Sequence, residues 1–444
     1  MNDGMEKANV PNLDKIIGLE VYSTEGEGIQ GRIKSSKGYG HFIVEEIIDS
    51  DGISVSKVRD DQHRYPVFTL RKEGIDTIHA LKEFESIYGL KLNALGLKDA
   101  DASTIQYVTA DREIGGEELH TRHCRLTLIG YSDRMLRKRD LIGNRFTITI
   151  ELDSSIDYGG SSSSSNSRCL ENVHDIIMNV RARRVGNFYG YQRFGSIRPV
   201  THLVGKAIVK RRFRDAVDTF LTYTNEYEDE QGRRVRLLLR DKISDEMIGH
   251  IPYHMDLERE LAKGMLETND PIRALRRLPV GVRRLFVEAY QAYIFNRALS
   301  TSMKEEGYDV LNPCEGDLCF RVDRDNRIGS MIRYDGVSST SSVVPVMQLV
   351  GYTFKSIGRF GRLVESIMKE EQVTGKDFYV KEMQEVSVEG GFRPLPLLLL
   401  YDKFDVVEAN GEIIRVRFAL PKGSYATILL REVIKPVDPV STGF

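Results

Sequence analysis

Tryptophan is absent from this chain, and only four cysteines occur among its 444 residues. So few thiols cannot build a disulfide scaffold, which points to a reducing, cytoplasmic setting. Long apolar runs are missing too. The densest, Leu395-Pro-Leu-Leu-Leu-Leu-Tyr401, falls far short of the ~20 residues that a membrane-crossing helix needs. The first residues, Met1-Asn-Asp-Gly-Met-Glu-Lys7, lack the apolar stretch of a secretory signal. Metal motifs are incomplete. Cys314 and Cys319 have no second pair, and His250 and His254 flank Pro252 without the glutamate of a zinc protease. The net charge is only −2, which argues against a bulk nucleic-acid coat protein. No internal repeat is present.

What remains is an ordinary globular balance, with 41% hydrophobic and 29% charged residues, enough for more than one core. The length implies about two or three domains. The small net charge hides local clusters: Arg134, Arg137, Lys138 and Arg139; Arg181, Arg183 and Arg184; Lys210, Arg211, Arg212 and Arg214; Arg233, Arg234 and Arg236; and Arg273, Arg276, Arg277, Arg283 and Arg284. Such groups bind phosphates by Coulomb attraction and counterion release, although any one of them can equally be a solvated helix face. Together they are the pattern of an enzyme with one basic, polyanion-binding surface.

Periodicity places the elements. Phe42-Ile-Val-Glu-Glu-Ile47 is short and β-branched, and Thr77 to Tyr88 reads as an amphipathic helix. Cys124, Leu126 and Leu128 alternate with polar residues, as do Phe146, Ile148, Ile150 and Leu152, which predicts strands. Gly159 to Ser167 reads as a flexible loop, followed by a helix through Val180 that Gly186 ends. Residues 206–300 are mostly helical, 301–395 mixed, and the tail returns to strand before a last helix to about Ile434, with Ser424 as a plausible N-cap. This order predicts an α+β fold with an inserted second domain. Gly26-Glu-Gly-Ile-Gln-Gly31 matches a dinucleotide fingerprint, but the next residues, Arg32-Ile-Lys-Ser-Ser-Lys-Gly38, cannot start a good helix.

Three segments carry chemistry. In Asn93-Ala-Leu-Gly-Leu-Lys-Asp-Ala-Asp-Ala-Ser-Thr-Ile-Gln106, Lys98 beside Asp99 keeps the carboxylate ionised, ready to act as nucleophile or base. The competing reading is a cap: Asp99 or Asp101 at the start of a helix running through Ile105. Arg184-Val-Gly-Asn-Phe-Tyr-Gly-Tyr-Gln-Arg-Phe-Gly195 is too polar for a core strand and too aromatic for an ordinary loop. Aromatics stack bases, Asn and Gln read base edges and Arg holds phosphate. Finally, Tyr425 opens the last helix, where its ring could wall a pocket and the first-turn N–H groups could take an anion.

These residues resemble the TruD family of tRNA pseudouridine synthases. The resemblance runs through ordered blocks: Lys34 with Phe42-Ile-Val-Glu-Glu46, Gly96 to Gln106, Gly143-Asn-Arg-Phe146, Asn187-Phe-Tyr-Gly-Tyr-Gln-Arg-Phe-Gly195, Glu288 to Asn296, and Phe418 to Glu432. It implies a catalytic pseudouridine synthase domain with a mixed or antiparallel sheet, in two parts (1–205 and 396–444), interrupted by an α+β insertion over 206–395. It also implies isomerisation of uridine, expected at position 13 of tRNA, with no cofactor and no metal. Asp99 maps to the nucleophile, and Phe42, Asn187 and Tyr425 to the uracil pocket. Lys34, Lys98 and Gln106 complete the candidate substrate-binding set. The chain departs from the pattern at Ala100, where the family often has a basic residue, and at Tyr425, which is Phe in some members. The length of the insertion looks more like archaeal and eukaryotic members. The expected partner is tRNA, with no membrane and no protein partner, and the expected state is a monomer. Two other readings stand beside this one: an idle RNA-binding protein on the same scaffold, and a glycoside-type hydrolase pairing Asp99 with Asp101.

Overall fold

The structure, a computed structural model, describes residues 9–34, 40–49, 53–98, 100, 102–113, 115–153, 162–337, 339–410 and 412–444; the side chains of 162–169 and 341 are outside this description. Asp99 and Asp101 therefore lie outside the described residues, as do Gly159 to Ser161.

The fold is α+β. Eleven strands form one mixed sheet whose main path runs Phe404–Ala409, Ile413–Pro421, Leu141–Leu152, Phe42–Ile48, Ser103–Ala110, Tyr65–Lys72, Cys124–Ser132 and Val55–Ser56. Leu141–Leu152 is the seam. It pairs antiparallel with Phe42–Ile48 on one side (Val44 opposite Phe146) and with Ile413–Pro421 on the other (Phe418 opposite Phe146). The period-2 pattern explains why. Phe146, Ile148 and Ile150 face one buried layer, where Phe146 stacks on Phe418 with ring centroids 5.5 Å apart. The pairing of Phe42–Ile48 with Ser103–Ala110 is parallel.

The helix Thr77–Tyr88 has the span that its periodicity predicts. Asp76 accepts from His79 N as the N-cap, and Gly89 at φ 60° closes the C-terminus in the left-handed region. Two local expectations are corrected. Ser162–Arg181 is one helix, so the serines from 162 onward are its first turns rather than a loop, and it stops five residues before Gly186. Ser103–Ala110 is a strand, so there is no helix through Ile105 for Asp99 or Asp101 to cap.

Between the two parts of the large sheet, helices run from Thr201 to Glu306, followed by a four-stranded antiparallel sheet ordered Ile328–Arg333, Leu318–Val322, Val343–Leu349 and Gly391–Pro394. The expected boundary at 205/206 falls inside the helix Thr201–Val209, and that at 395/396 just after the strand Gly391–Pro394. The 27-residue helix Val280–Glu306 is buried along most of its length. The helix Thr201–Val209 presses on it so closely that a Cβ on Gly205 would sit 1.9 Å from Phe286 O. One continuous core joins Ile148 and Phe418 of the large sheet to Tyr290, Phe295 and Phe378.

Candidate active site

The strand Leu92–Ala94 ends in a turn whose residues Gly96 to Lys98 lead to position 99. The turn is clamped from three elements. Lys98 Nζ lies 2.8 Å from Glu46 Oε1, and the Glu46 side chain is fully buried. Glu46 Oε2 accepts from Tyr107 N at 3.0 Å. Gln106 Nε2 donates to Gly96 O at 2.8 Å, while its Oε1 accepts from Thr77 Oγ1 at 2.8 Å. Thr77 in turn accepts from Lys98 N at 2.9 Å and donates its own N–H to Lys98 O at 3.1 Å. Each group faces a partner of opposite hydrogen-bonding polarity, so the turn has one arrangement. Lys98 and Gln106 are thus engaged with the protein itself. Phe42, at i−4 from Glu46 on the same strand, lies on the same face and packs at the margin of the main core.

The aromatic segment is buried from Val185 to Tyr191. Its backbone is stitched to distant strands and helices. Asn187 N donates to Leu395 O at 2.7 Å, and Tyr189 N donates to Asn296 Oδ1 at 2.8 Å. Asn296 Nδ2 reaches Ile17 O and Tyr189 O. The Asn187 side chain donates from Nδ2 to Pro394 O at 3.2 Å and accepts at Oδ1 from Arg393 Nη2 at 2.9 Å. Burial pulls the Arg393 pKa below the ordinary arginine value. The guanidinium lies 4.0 Å from the Tyr189 ring centroid, a cation–π geometry that replaces part of its lost hydration.

The last helix spans Ala426–Ile434, and its N-cap residue is Tyr425 rather than Ser424, with no side-chain cap. The Tyr425 hydroxyl accepts from Arg193 Nε at 3.1 Å, and Arg193 also pairs with Glu288 at 3.1 Å. Gly190 permits this approach: a Cβ there would lie 2.6 Å from Thr427 Oγ1 and 2.9 Å from Tyr425 Cδ1. The helix is anchored through Arg431 and Glu432. Arg431 Nε donates to Asp14 Oδ2 at 2.6 Å, Tyr191 OH donates to Asp14 Oδ1 at 2.7 Å, and Glu432 accepts from the N–H groups of Ser23 and Thr24. The N-terminal segment thus straps the aromatic segment to the last helix.

The predicted residues therefore fall into groups. Lys98 and Gln106 meet at Glu46, on the strand that also carries Phe42. Asn187 and Tyr425 meet around Arg393, whose Nη1 donates to Gly423 O at 2.8 Å. Lys34 stands apart, 3.8 Å from Glu151 Oε1. Sequence reasoning missed Glu46, Thr77 and Arg393 as organisers. Glu46 belonged to a quoted block, but nothing local marks Arg393, which comes just after a Gly-Gly turn signal.

A family model described as tRNA pseudouridine synthase D (TruD) matches residues 16–433. The chain belongs to the TruD family. A probable tRNA pseudouridine synthase D of Methanosarcina acetivorans is 32% identical, covering 98% of this chain and 99% of that protein. A protein of the same description from Methanopyrus kandleri is 33% identical over 83% of this chain and 85% of its own length. A TruD crystal structure from Methanosarcina mazei superposes with a TM-score of 0.72 at 27% identity, covering 97% of this chain and 99% of that one.

In this TruD chain most of the clustered arginines serve the fold. Arg276 and Arg283 pair with Glu385, Arg277 with Glu267, and Arg214 with Asp218. Arg211 donates to the carbonyls of Asp377 and Tyr379, and Lys210 to Glu371 O. The buried Arg236 and the partly buried Arg198 share Glu228 and Glu258. Burial beside Arg236 pushes the Arg198 pKa down to about 10. Arg233 and Arg234 on the helix Glu230–Asp241 are exposed and without an ion partner among the described residues. Among the described residues no His, Cys, Asp or Glu cluster could hold a metal ion, and no helix is long and apolar enough to cross a membrane.

Proposed function

We propose that this chain isomerises uridine to pseudouridine in tRNA, expected at position 13, with Asp99 as nucleophile. Membership of the TruD family supports the reaction, and the observation that carries the site is the clamp on the turn from Gly96 to Lys98. An activated carboxylate needs a fixed approach to C1′, and a turn tied to Glu46, Thr77 and Gln106 is a rigid mount for one. The strand at 103–110 also removes the helix that the capping alternative required.

The chemistry needs no net redox change. The C1′–N1 bond breaks, the uracil turns, C1′ joins C5, the C5 hydrogen leaves as a proton and N1 gains one. Asp99 attacks C1′ or takes a ribose proton. Phe42 and Tyr425 hold the base and Asn187 meets its edge, after the nucleotide has been drawn out of its stack at a cost of a few kcal/mol. In this reading 1–205 and 396–444 form the catalytic unit, acting as a monomer in the cytoplasm without a cofactor. The pairing of Ile413–Pro421 with Leu141–Leu152 supports that joining of distant segments. The inserted unit corresponds to 206–395, its first boundary falling within the helix Thr201–Val209.

The test is tritium release from tRNA transcripts labelled at uridine C5. Wild type should release label at one site, and Asp99→Asn, an isosteric change, should bind tRNA normally and release none. Failure of the wild type to release label refutes the activity. Release by Asp99→Asn within about tenfold of wild type refutes the nucleophile.

A further inference from the structure

Among the described residues, four arginines are buried: Arg236, Arg283, Arg393 and Arg431. Three have carboxylate partners, in Glu228 and Glu258, Glu385, and Asp14 respectively. Arg393 has none among the described residues. A buried cation without a counter-charge is costly unless hydrogen bonds satisfy it. Here Nε donates to Asn187 O at 2.8 Å, Nη1 to Gly423 O at 2.8 Å, and Nη2 to Phe188 O at 3.2 Å and Asn187 Oδ1 at 2.9 Å. Three of the four bonds go to the Asn187–Phe188 pair, and the fourth to the turn before Tyr425.

The bond to Asn187 Oδ1 has a chemical consequence. A guanidinium can only donate, and a backbone carbonyl can only accept. With Arg393 on one side and Pro394 O on the other, the Asn187 amide has one admissible orientation: oxygen toward Arg393, nitrogen toward Pro394. Pro394 O takes one of the two Nδ2 hydrogens. The other is what Asn187 has left to offer.

Resting on the tRNA uridine reading above, we propose that Arg393 is a positioning residue for base recognition: it holds Asn187 so that an Nδ2–H is presented to the substrate, which selects a pyrimidine carbonyl. Uracil carries a carbonyl at C4, where cytosine carries an amino group. A fixed donor donates to the first and meets another donor in the second, leaving two buried N–H groups opposed. Arg393 acts through Asn187 and touches no reacting atom.

The experiment uses the full-length protein and the same tritium-release assay, with steady-state kcat and KM for wild type, Arg393→Lys, Asn187→Ala, the double variant, and Asn187→Asp. Arg393→Lys should lower kcat about tenfold or more while KM stays within about threefold. Because its effect runs through Asn187, the double variant should be no slower than Asn187→Ala alone, within about twofold. Losses that multiply in the double variant overturn the proposal. Asn187→Asp keeps the shape, removes the N–H and leaves Arg393 in place. It should bind tRNA like wild type and lose about 100-fold or more in kcat, and retention within about tenfold overturns the donor assignment. This arm decides the matter should Arg393→Lys fail to fold. A wild type that releases no tritium refutes the tRNA reading itself, whereas an active wild type with multiplying losses refutes only the role of Arg393.

Discussion

Replacing Glu46 by Gln is the sharpest probe of the turn that leads to Asp99. The substitution keeps volume and removes one charge. Both Glu46 oxygens are in use: Oε1 accepts from Lys98 Nζ at 2.8 Å and from Gln106 Nε2 at 3.5 Å, and Oε2 accepts from Tyr107 N at 3.0 Å. An amide can satisfy only one side. If its oxygen stays on Lys98, its NH2 group confronts the Tyr107 N–H; turned the other way, it confronts the ammonium. Either way one buried donor is left unpaired, worth about 1–3 kcal/mol, and a charge-assisted bond is lost or weakened, worth about 1.5–3 kcal/mol. The Lys98 side chain keeps 14% exposure, so it can recover some hydration. The net loss should be about 3 kcal/mol, read from urea unfolding. Turnover should fall about tenfold or more, because a shift of the turn misplaces what it carries. The decisive comparison adds Lys98→Met. With the ammonium gone, the same Glu46→Gln change should destabilise less than it does in wild type, since no charge is left without its partner. Strictly additive losses would refute the clamp.

Three further outcomes concern other parts of the molecule. Burial pulls the His202 pKa down to about 4, so above pH 6.5 the ring is neutral in both folded and unfolded chains and contributes nothing; as pH falls from 6.5 toward 4 only the unfolded chain takes up the proton, and stability should drop by about 3 kcal/mol. Denaturation curves at several pH values should show that drop in wild type and a flatter dependence in His202→Gln, and identical curves would contradict it. Gly190→Ala should force its new methyl against Thr427 and Tyr425, costing about 1–3 kcal/mol in thermal or urea unfolding and lowering turnover more than tRNA binding. Neutralising Arg233 and Arg234 together should weaken tRNA binding and lower the salt slope by about one unit per lost phosphate contact, while neutralising Arg276 and Arg277, already paired with Glu385 and Glu267, should change the slope little.

Features under short-range control were legible in the order of residues alone. The helix Thr77–Tyr88 could be read because its cap, its apolar face and its terminal glycine all lie close together, from Asp76 to Gly89. The strand Leu141–Leu152 could be read because a half-buried strand writes a period of two into its side chains. The blocks around position 99 and in the aromatic segment stood out as patterns, since glycines, amides, charges and aromatic rings are concentrated there. Local signals failed where packing overrode them. The serines from 162 read as a loop by composition, yet they continue a helix whose apolar face, from Val173 to Val180, is buried in the main core. The partners of charged groups were settled by tertiary packing. Arg393 and Asn187 are 206 residues apart, and Glu46 and Lys98 are 52 apart. An arginine reads the same in sequence whether it ends against a phosphate, a carboxylate or a carbonyl. Desolvation and hydrogen-bond geometry make that choice, and both are set by segments brought together from far along the chain.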